Sequence, residues 1–198
     1  MPTEDLSDPP LSPAEARRRM PSLALIENDA IRRETCKLTM FAPAYFWERP
    51  GSTAGYHNAH DHGLWAHTLK LSTVIERLAD SYAERGLLRK PLDVDRAHAV
   101  GVLHDQRKAG ESGEETLSDH DIQMGGVVRQ ESELGETVAR AIESHMGAWG
   151  DGPDPSSTLD ELVHVADMVA SDDNVDIALP APVPEELEAH GYAAADLD

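Results

Sequence analysis

The chain has 198 residues, enough for one domain with a single sizeable core. Asp and Glu number 37 against 17 Lys and Arg, a formal net charge of -20. A surface that negative repels phosphate backbones, which excludes a protein that coats DNA or RNA regardless of sequence but leaves small or locally guided anionic substrates open.

Only four of the 17 cations are lysines, Lys37, Lys70, Lys90 and Lys108. An acid excess of this kind is expected of a halophilic cytoplasmic protein, in which strong salt screens self-repulsion while carboxylates keep the surface hydrated. The single cysteine, Cys36, has no internal disulfide partner and there is no CxxC pair, which fits a reducing cytoplasm. No stretch approaches about 18 uninterrupted apolar residues, and the first residues are acidic, so neither a membrane span nor a secretory signal is expected.

Residues 1–22 read as a proline-rich tail around one short helix, opened by the capping pattern Ser12-Pro13-Ala14-Glu15. The domain proper is expected over 23–178. Its first helix runs from about Asp29 to Phe41 with Ile31, Leu38 and Phe41 inward, and Pro43 stops it. Tyr45-Phe46-Trp47 follows, a cluster that plugs a core or, less ordinarily, walls a nucleobase pocket. A long helix is expected from about Gly63 to Glu84 on the stripe Leu64, Leu71, Val74 or Ile75, and Leu78. Asp93 or Asp95 is expected to cap a helix reaching Leu103; Asp119 opens one carrying Met124, Val127 and Val128; Gly135–Met146 and Ser157–Ala170 complete the set. From 179 to 198, prolines at 180, 182 and 184 lead into a short acidic helix stopped by Gly191, read as a second peripheral tail. Few alternating β-branched runs occur, so the fold class is all-α, a helical bundle with short terminal extensions.

Several of the ten histidines fall on apolar helix stripes, where a solvated histidine does not belong. His67 lies between Leu64 and Leu71, His104 after Val100 and Gly101, His120 before Met124, and His145 after Ala141 and Ile142. Asp167 sits beside Val163 and Ala170. Five polar groups from five helices thus point toward one interior, and Asp105 directly follows His104. One buried histidine is most often a satisfied core residue. Five together with buried carboxylates call for a cation, and mixed imidazole and carboxylate donors suit Mn, Fe, Co, Ni or Zn, with Mg admitted.

The ordered set His67, His104-Asp105, His120, His145, Asp167 resembles the HD-domain metal-dependent phosphohydrolase superfamily, whose pattern is a His, a His-Asp doublet and a distant Asp. Gly63-Leu64-Trp65-Ala66-His67-Thr68-Leu69 is similar to its GGLLEHTL stretch and Leu103-His104-Asp105-Gln106-Arg107-Lys108 to its LHDIGK. Ser144-His145-Met146-Gly147-Ala148-Trp149-Gly150 is similar to an SHHGxxxWG-type segment, and Val165-Ala166-Asp167 to the terminal AD. The resemblance covers about residues 56 to 170, and its wording stands closest to HD domains of 3′-to-5′ exoribonuclease-like members.

Carried over position by position, it implies that His67, His104, Asp105 and Asp167 hold one metal. It also implies that Asp105 bridges to a second ion held by His120 and His145 in two-metal members. Met146 stands where many relatives have a second His, and Arg107 replaces a Gly. Lys108 is expected to reach a phosphate oxygen as a point charge; Arg107 either forks onto it or, more ordinarily, pairs with Glu111, Glu114 or Glu115. His57 matches a Tyr-His position expected to touch substrate, and Trp149 is expected at the entrance. His60 and His62 read as solvated members of a polar loop, His164 as a support for the ligands, and His98 and His190 as ordinary.

The implied activity is hydrolysis of a phosphoester in a nucleotide or small phosphorylated substrate. The alternatives are a phosphodiesterase or exonuclease on short single-stranded nucleic acid, and a regulatory protein that binds metal and nucleotide without turnover.

Overall fold

The computed structural model describes residues 9–52, 58–110 and 113–197. Among these residues there are nine α-helices and no strand: α1 (Pro13–Arg19), α2 (Asp29–Thr39), α3 (Ala44–Glu48), α4 (Gly63–Glu84), α5 (Leu92–Leu103), α6 (His120–Glu131), α7 (Glu136–Glu143), α8 (Thr158–Ala170) and α9 (Glu185–Glu188). The all-α reading holds. The long α4 packs against α5 and α8, α5 also lies against α2 and α7, and α6 pairs with α7. One core results, with Leu64, Leu71, Ile75, Val100, Leu103, Ile142, Leu162 and Val163 all buried.

Both terminal segments contribute to that core. Ala16 and Met20 from the amino-terminal side, and Leu179 and Leu187 from the carboxy-terminal side, are buried within it. Trp65 of α4 donates its indole N–H to the Arg19 carbonyl at 2.7 Å, which ties the end of α1 to the long helix. The expected 22/23 and 178/179 boundaries therefore do not separate packed from unpacked chain.

The caps explain most helix limits. Ser157 and Asp160 form a reciprocal capping box at α8. Ser12 accepts from Glu15 N–H at α1, as the sequence predicts. Asp95 does not cap its own helix. It is buried inside α5 and accepts from Glu27 and Asn28 N–H at 2.7 and 3.1 Å, anchoring the approach to α2. The helix begins at Leu92, earlier than either expected aspartate cap. The α2 and α7 helices stop short of Phe41 and Met146; α7 ends at Glu143, ahead of a turn in which Gly147 takes φ 53°.

Phe46 and Trp47 of α3 are core side chains, with Trp47 edge-on to Trp65 at 5.4 Å, so these two plug the core. Tyr45 does something more specific. Its hydroxyl accepts from Ala109 N–H and donates to the Gln106 carbonyl, both at 3.2 Å, and so fixes the turn after α5.

The entry to α4 is tightly determined. A Cβ on Gly63 would stand 1.9 Å from the Asn58 carbonyl oxygen, so only glycine fits, and the preceding His62 occupies the left-handed region at φ 66°. This close approach sets the register at which α4 presents His67.

Candidate metal centre

Six side chains from five parts of the fold converge. His67 comes from the second turn of α4, His104 and Asp105 from the end of α5, His120 from the first residue of α6, His145 from just beyond α7, and Asp167 from α8. All six are buried. His67 Nε2 lies 2.9 Å from Asp167 Oδ1 and 3.3 Å from His104 Nε2. Asp105 divides its two oxygens. Oδ2 stands 3.5 Å from His104 Nε2 and 3.9 Å from His67 Nε2, while Oδ1 stands 3.0 Å from His120 Nε2 and 3.7 Å from His145 Nε2.

The tautomers follow from backbone geometry. His104 Nδ1 faces the Gly101 carbonyl at 2.8 Å, His120 Nδ1 the Leu117 carbonyl and His145 Nδ1 the Ile142 carbonyl, each at 2.7 Å. A carbonyl only accepts, so each Nδ1 carries a ring proton, and in the neutral ring, the form that binds metal, each Nε2 is then a lone pair turned inward. His120 Nε2, His145 Nε2 and Asp105 Oδ1 are buried without a hydrogen bond. Acceptors gathered without a proton between them are costly, and a cation removes that cost. Two triads have donor atoms within 4.8 Å of one another: His67, His104 and Asp167, and His104, Asp105 and His145. The donor set fits a divalent metal with mixed nitrogen and oxygen preference.

The electrostatics favour the deprotonated forms of His104, Asp105 and Asp167, whereas at His145 burial is outweighed by the Asp105 and Asp167 carboxylates, which push its pKa up. Burial drives the His104 pKa down to about 3 against the pull of Asp105. Burial alone would raise Asp105, but the neighbouring positive charge, Lys108 first, outweighs it and holds the carboxyl well below its ordinary range. Burial would likewise raise Asp167, and the hydrogen bond from His67 reverses that. Lys108 is the one cation at the centre among the described residues. Its Nζ is 2.6 Å from Asp105 Oδ2, and this pairing overcomes burial and keeps its pKa above the usual lysine value.

A cavity of about 690 Å³ opens onto this cluster, with His67, Asp105, Lys108 and Asp167 at its floor. Met146 lines it, which confirms that the position faces the site while supplying a thioether in place of an imidazole. Trp149 stands at its mouth, 76% exposed. His164 Nδ1 donates to the His145 carbonyl at 2.7 Å and so steadies the backbone of a ligand candidate.

Some expectations fail. Arg107 is buried rather than a solvated surface cation and is not among the described lining of this cavity. His60 and His62 are not free in solvent: His62 donates Nδ1–H to the Trp47 carbonyl at 2.6 Å, and His60 meets the Tyr192 hydroxyl at 2.7 Å and stacks on His190 at 5.1 Å. His57 lies outside the described residues. Sequence reading missed the far wall, Met168 and Ser171 to Asn174, whose sequence signal is the Asp172-Asp173 pair just beyond the end of α8. It also missed Asp121, fully buried, with Oδ2 unpaired beneath Gly150 and Gly152.

The model of the family described as HD domain matches residues 64–172, more than half of the chain and all six converging side chains. The chain belongs to the HD-domain family. No curated protein and no solved structure matches it. Membership places this HD domain among the metal-dependent phosphohydrolases in general, enzymes that bind divalent metal, and the buried imidazole and carboxylate groups are consistent with that class.

Proposed function

We propose that the protein hydrolyses a phosphoester bond in a nucleotide or small phosphorylated substrate. The observation that carries this reading is the division of Asp105, one oxygen toward His67 and His104 and the other toward His120 and His145, which suits a carboxylate shared by two ions. His67, His104, Asp105 and Asp167 would hold the first ion, and His120, His145 and Asp105 the second. Bound there, divalent metal supplies Lewis acidity toward phosphoryl oxygens and lowers the pKa of water toward neutrality.

The chain's own residues do the rest. Lys108 offers a fixed positive charge at the cavity floor, where a phosphoryl oxygen approaching Asp105 needs compensation. Its hold on Asp105 also keeps that carboxylate ionised. Asp167 orients His67 through the 2.9 Å contact. The carbonyl-bound Nδ1 atoms keep three imidazoles facing inward.

A second reading, removal of nucleotides from a short single strand, is favoured by the exposed Trp149 ring at the cavity mouth, a surface on which a base can stack. Elemental analysis of the purified protein, followed by a phosphoester panel with added Mn, Ni, Co and Mg, tests the main reading. Release of phosphate from mononucleotides supports it, and shortening of an end-labelled oligonucleotide without phosphate release favours the second. Stoichiometric metal with no turnover across the panel refutes both and leaves a regulatory binding protein.

A further inference from the structure

Lys108 is a wall shared by two cavities. On one side is the metal centre; on the other is a second cavity of about 360 Å³, lined by Arg49, Ser52, Lys108 and Thr116 with Gly51 and Ala109 between them. The metal-side cavity holds Asp105, Asp167, Asp172 and Asp173. The second has no acidic residue among its described lining, in a chain whose acids outnumber its bases 37 to 17.

Arg49 is built into this place rather than draped over it. Its backbone N–H donates to the Tyr45 carbonyl at 2.9 Å and its carbonyl accepts from Leu64 N–H at 3.0 Å, so the residue is pinned between α3 and α4. Its side chain donates Nη1 to the Gly113 carbonyl at 2.6 Å and lies 5.9 Å from the Tyr45 ring centre. It forms no ion pair with a carboxylate among the described residues, whereas Arg18, Arg89 and Arg129 each do. A guanidinium held rigidly, with no carboxylate paired to it among the described residues and with two hydroxyls and Lys108 beside it, makes an anion site. The volume lies in the range of small-ligand pockets.

We infer that this cavity receives a second phosphate of the substrate, distinct from the one cleaved, so that the preferred substrate is a nucleotide carrying two phosphates that straddle Lys108. The inference rests on the phosphohydrolase reading for the phosphate on the metal side. A strongly negative protein repels a multiply charged substrate at distance, and Arg49, with Lys108 at the shared wall, offsets that repulsion in a cavity with no acidic residue among its described lining.

The test is isothermal titration calorimetry on Mn-loaded protein with adenosine 5′-monophosphate and adenosine 3′,5′-bisphosphate. The wild-type chain is expected to bind the bisphosphate about tenfold more tightly, as one added charge-assisted contact allows. Arg49→Gln is expected to erase most of that preference, and Arg49→Lys, which keeps the charge, to retain most of it. Arg33→Gln, at an exposed cation on α2, is expected to leave the preference unchanged. Equal affinities in the wild type, or a preference that survives Arg49→Gln, would overturn the inference. So would equal losses in the Lys and Gln variants, which would assign the effect to the Gly113 contact. Hydrolysis is followed in the same samples. Preference for the bisphosphate without turnover of either nucleotide supports the subsite and refutes the hydrolase reading; turnover of both with equal affinities does the reverse.

Discussion

Lys108 Nζ lies 2.6 Å from Asp105 Oδ2, on the same oxygen that faces His67 and His104. A half-buried ammonium at that oxygen is a charge already in place for an incoming phosphoryl group. Lys108→Ala is expected to lower kcat/KM by about 10²- to 10³-fold, the usual cost of removing one preorganised electrostatic contact. Metal content, read by elemental analysis, should stay the same. Activity within about threefold of wild type would remove Lys108 from the chemistry.

His120 and His104 should differ as ligands. His120 faces only Oδ1 of Asp105, whereas His104 belongs to both triads. His120→Ala is therefore expected to halve the bound metal, and His104→Ala to remove more than half, because it takes a ligand from the first ion and also stands within 4.8 Å of the Asp105 and His145 donors, measured after gel filtration in metal-free buffer. Equal losses in the two variants would contradict the shared-carboxylate arrangement.

Acid sensitivity of the metal-free protein follows from His104. With its folded pKa near 3 against an ordinary 6.5, the unfolded chain takes up a proton that the folded chain refuses. Stability is lost as pH falls from 6.5 toward 3, by up to about 1.4 kcal/mol per pH unit for one proton. His145 is shifted upward and acts in the opposite sense: its contribution is full below 6.5 and lost as pH rises through the folded value. Asp105 and Asp167, both held below 3.8, contribute in full above that value and fail only at lower pH. Urea unfolding between about pH 4 and 6.5 should show a shallower pH slope for His104→Asn than for wild type. Identical slopes would show that His104 takes no part.

Asp95 offers a stability test far from the chemistry. Its carboxylate satisfies two backbone N–H groups ahead of α2 from a buried position. Asp95→Ala should destabilise by about 1–3 kcal/mol, seen as a lower urea midpoint, because two donors lose their acceptor. Metal stoichiometry should not change.

The net charge of -20 makes salt a further variable. For a halophilic cytoplasmic protein the melting temperature should climb as KCl is raised from low to molar concentration. A steady fall would remove that reading.

The convergence of these side chains was legible because histidines on apolar stripes are a local signal: His67, His104, His120 and His145 each sit one turn from residues that must be buried. Asp95 misled because its partners, Glu27 and Asn28, lie 67 and 68 residues away, and no local pattern announces such a contact. The terminal segments misled for a related reason. Proline and acid content mark them as irregular, yet Met20, Leu179 and Leu187 are single apolar residues that reach the core without periodicity. Arg49 carries no motif at all, and only the fold places it across Lys108 from the metal centre.

The carbonyl-tethered Nδ1 atoms of His104, His120 and His145 have a calorimetric consequence. Three rings that cannot flip have surrendered their rotamer freedom during folding rather than on metal uptake. Loading the centre should then proceed with little structural rearrangement: a small heat-capacity change, circular dichroism that barely alters, and a melting temperature that rises with free metal concentration as simple mass action requires.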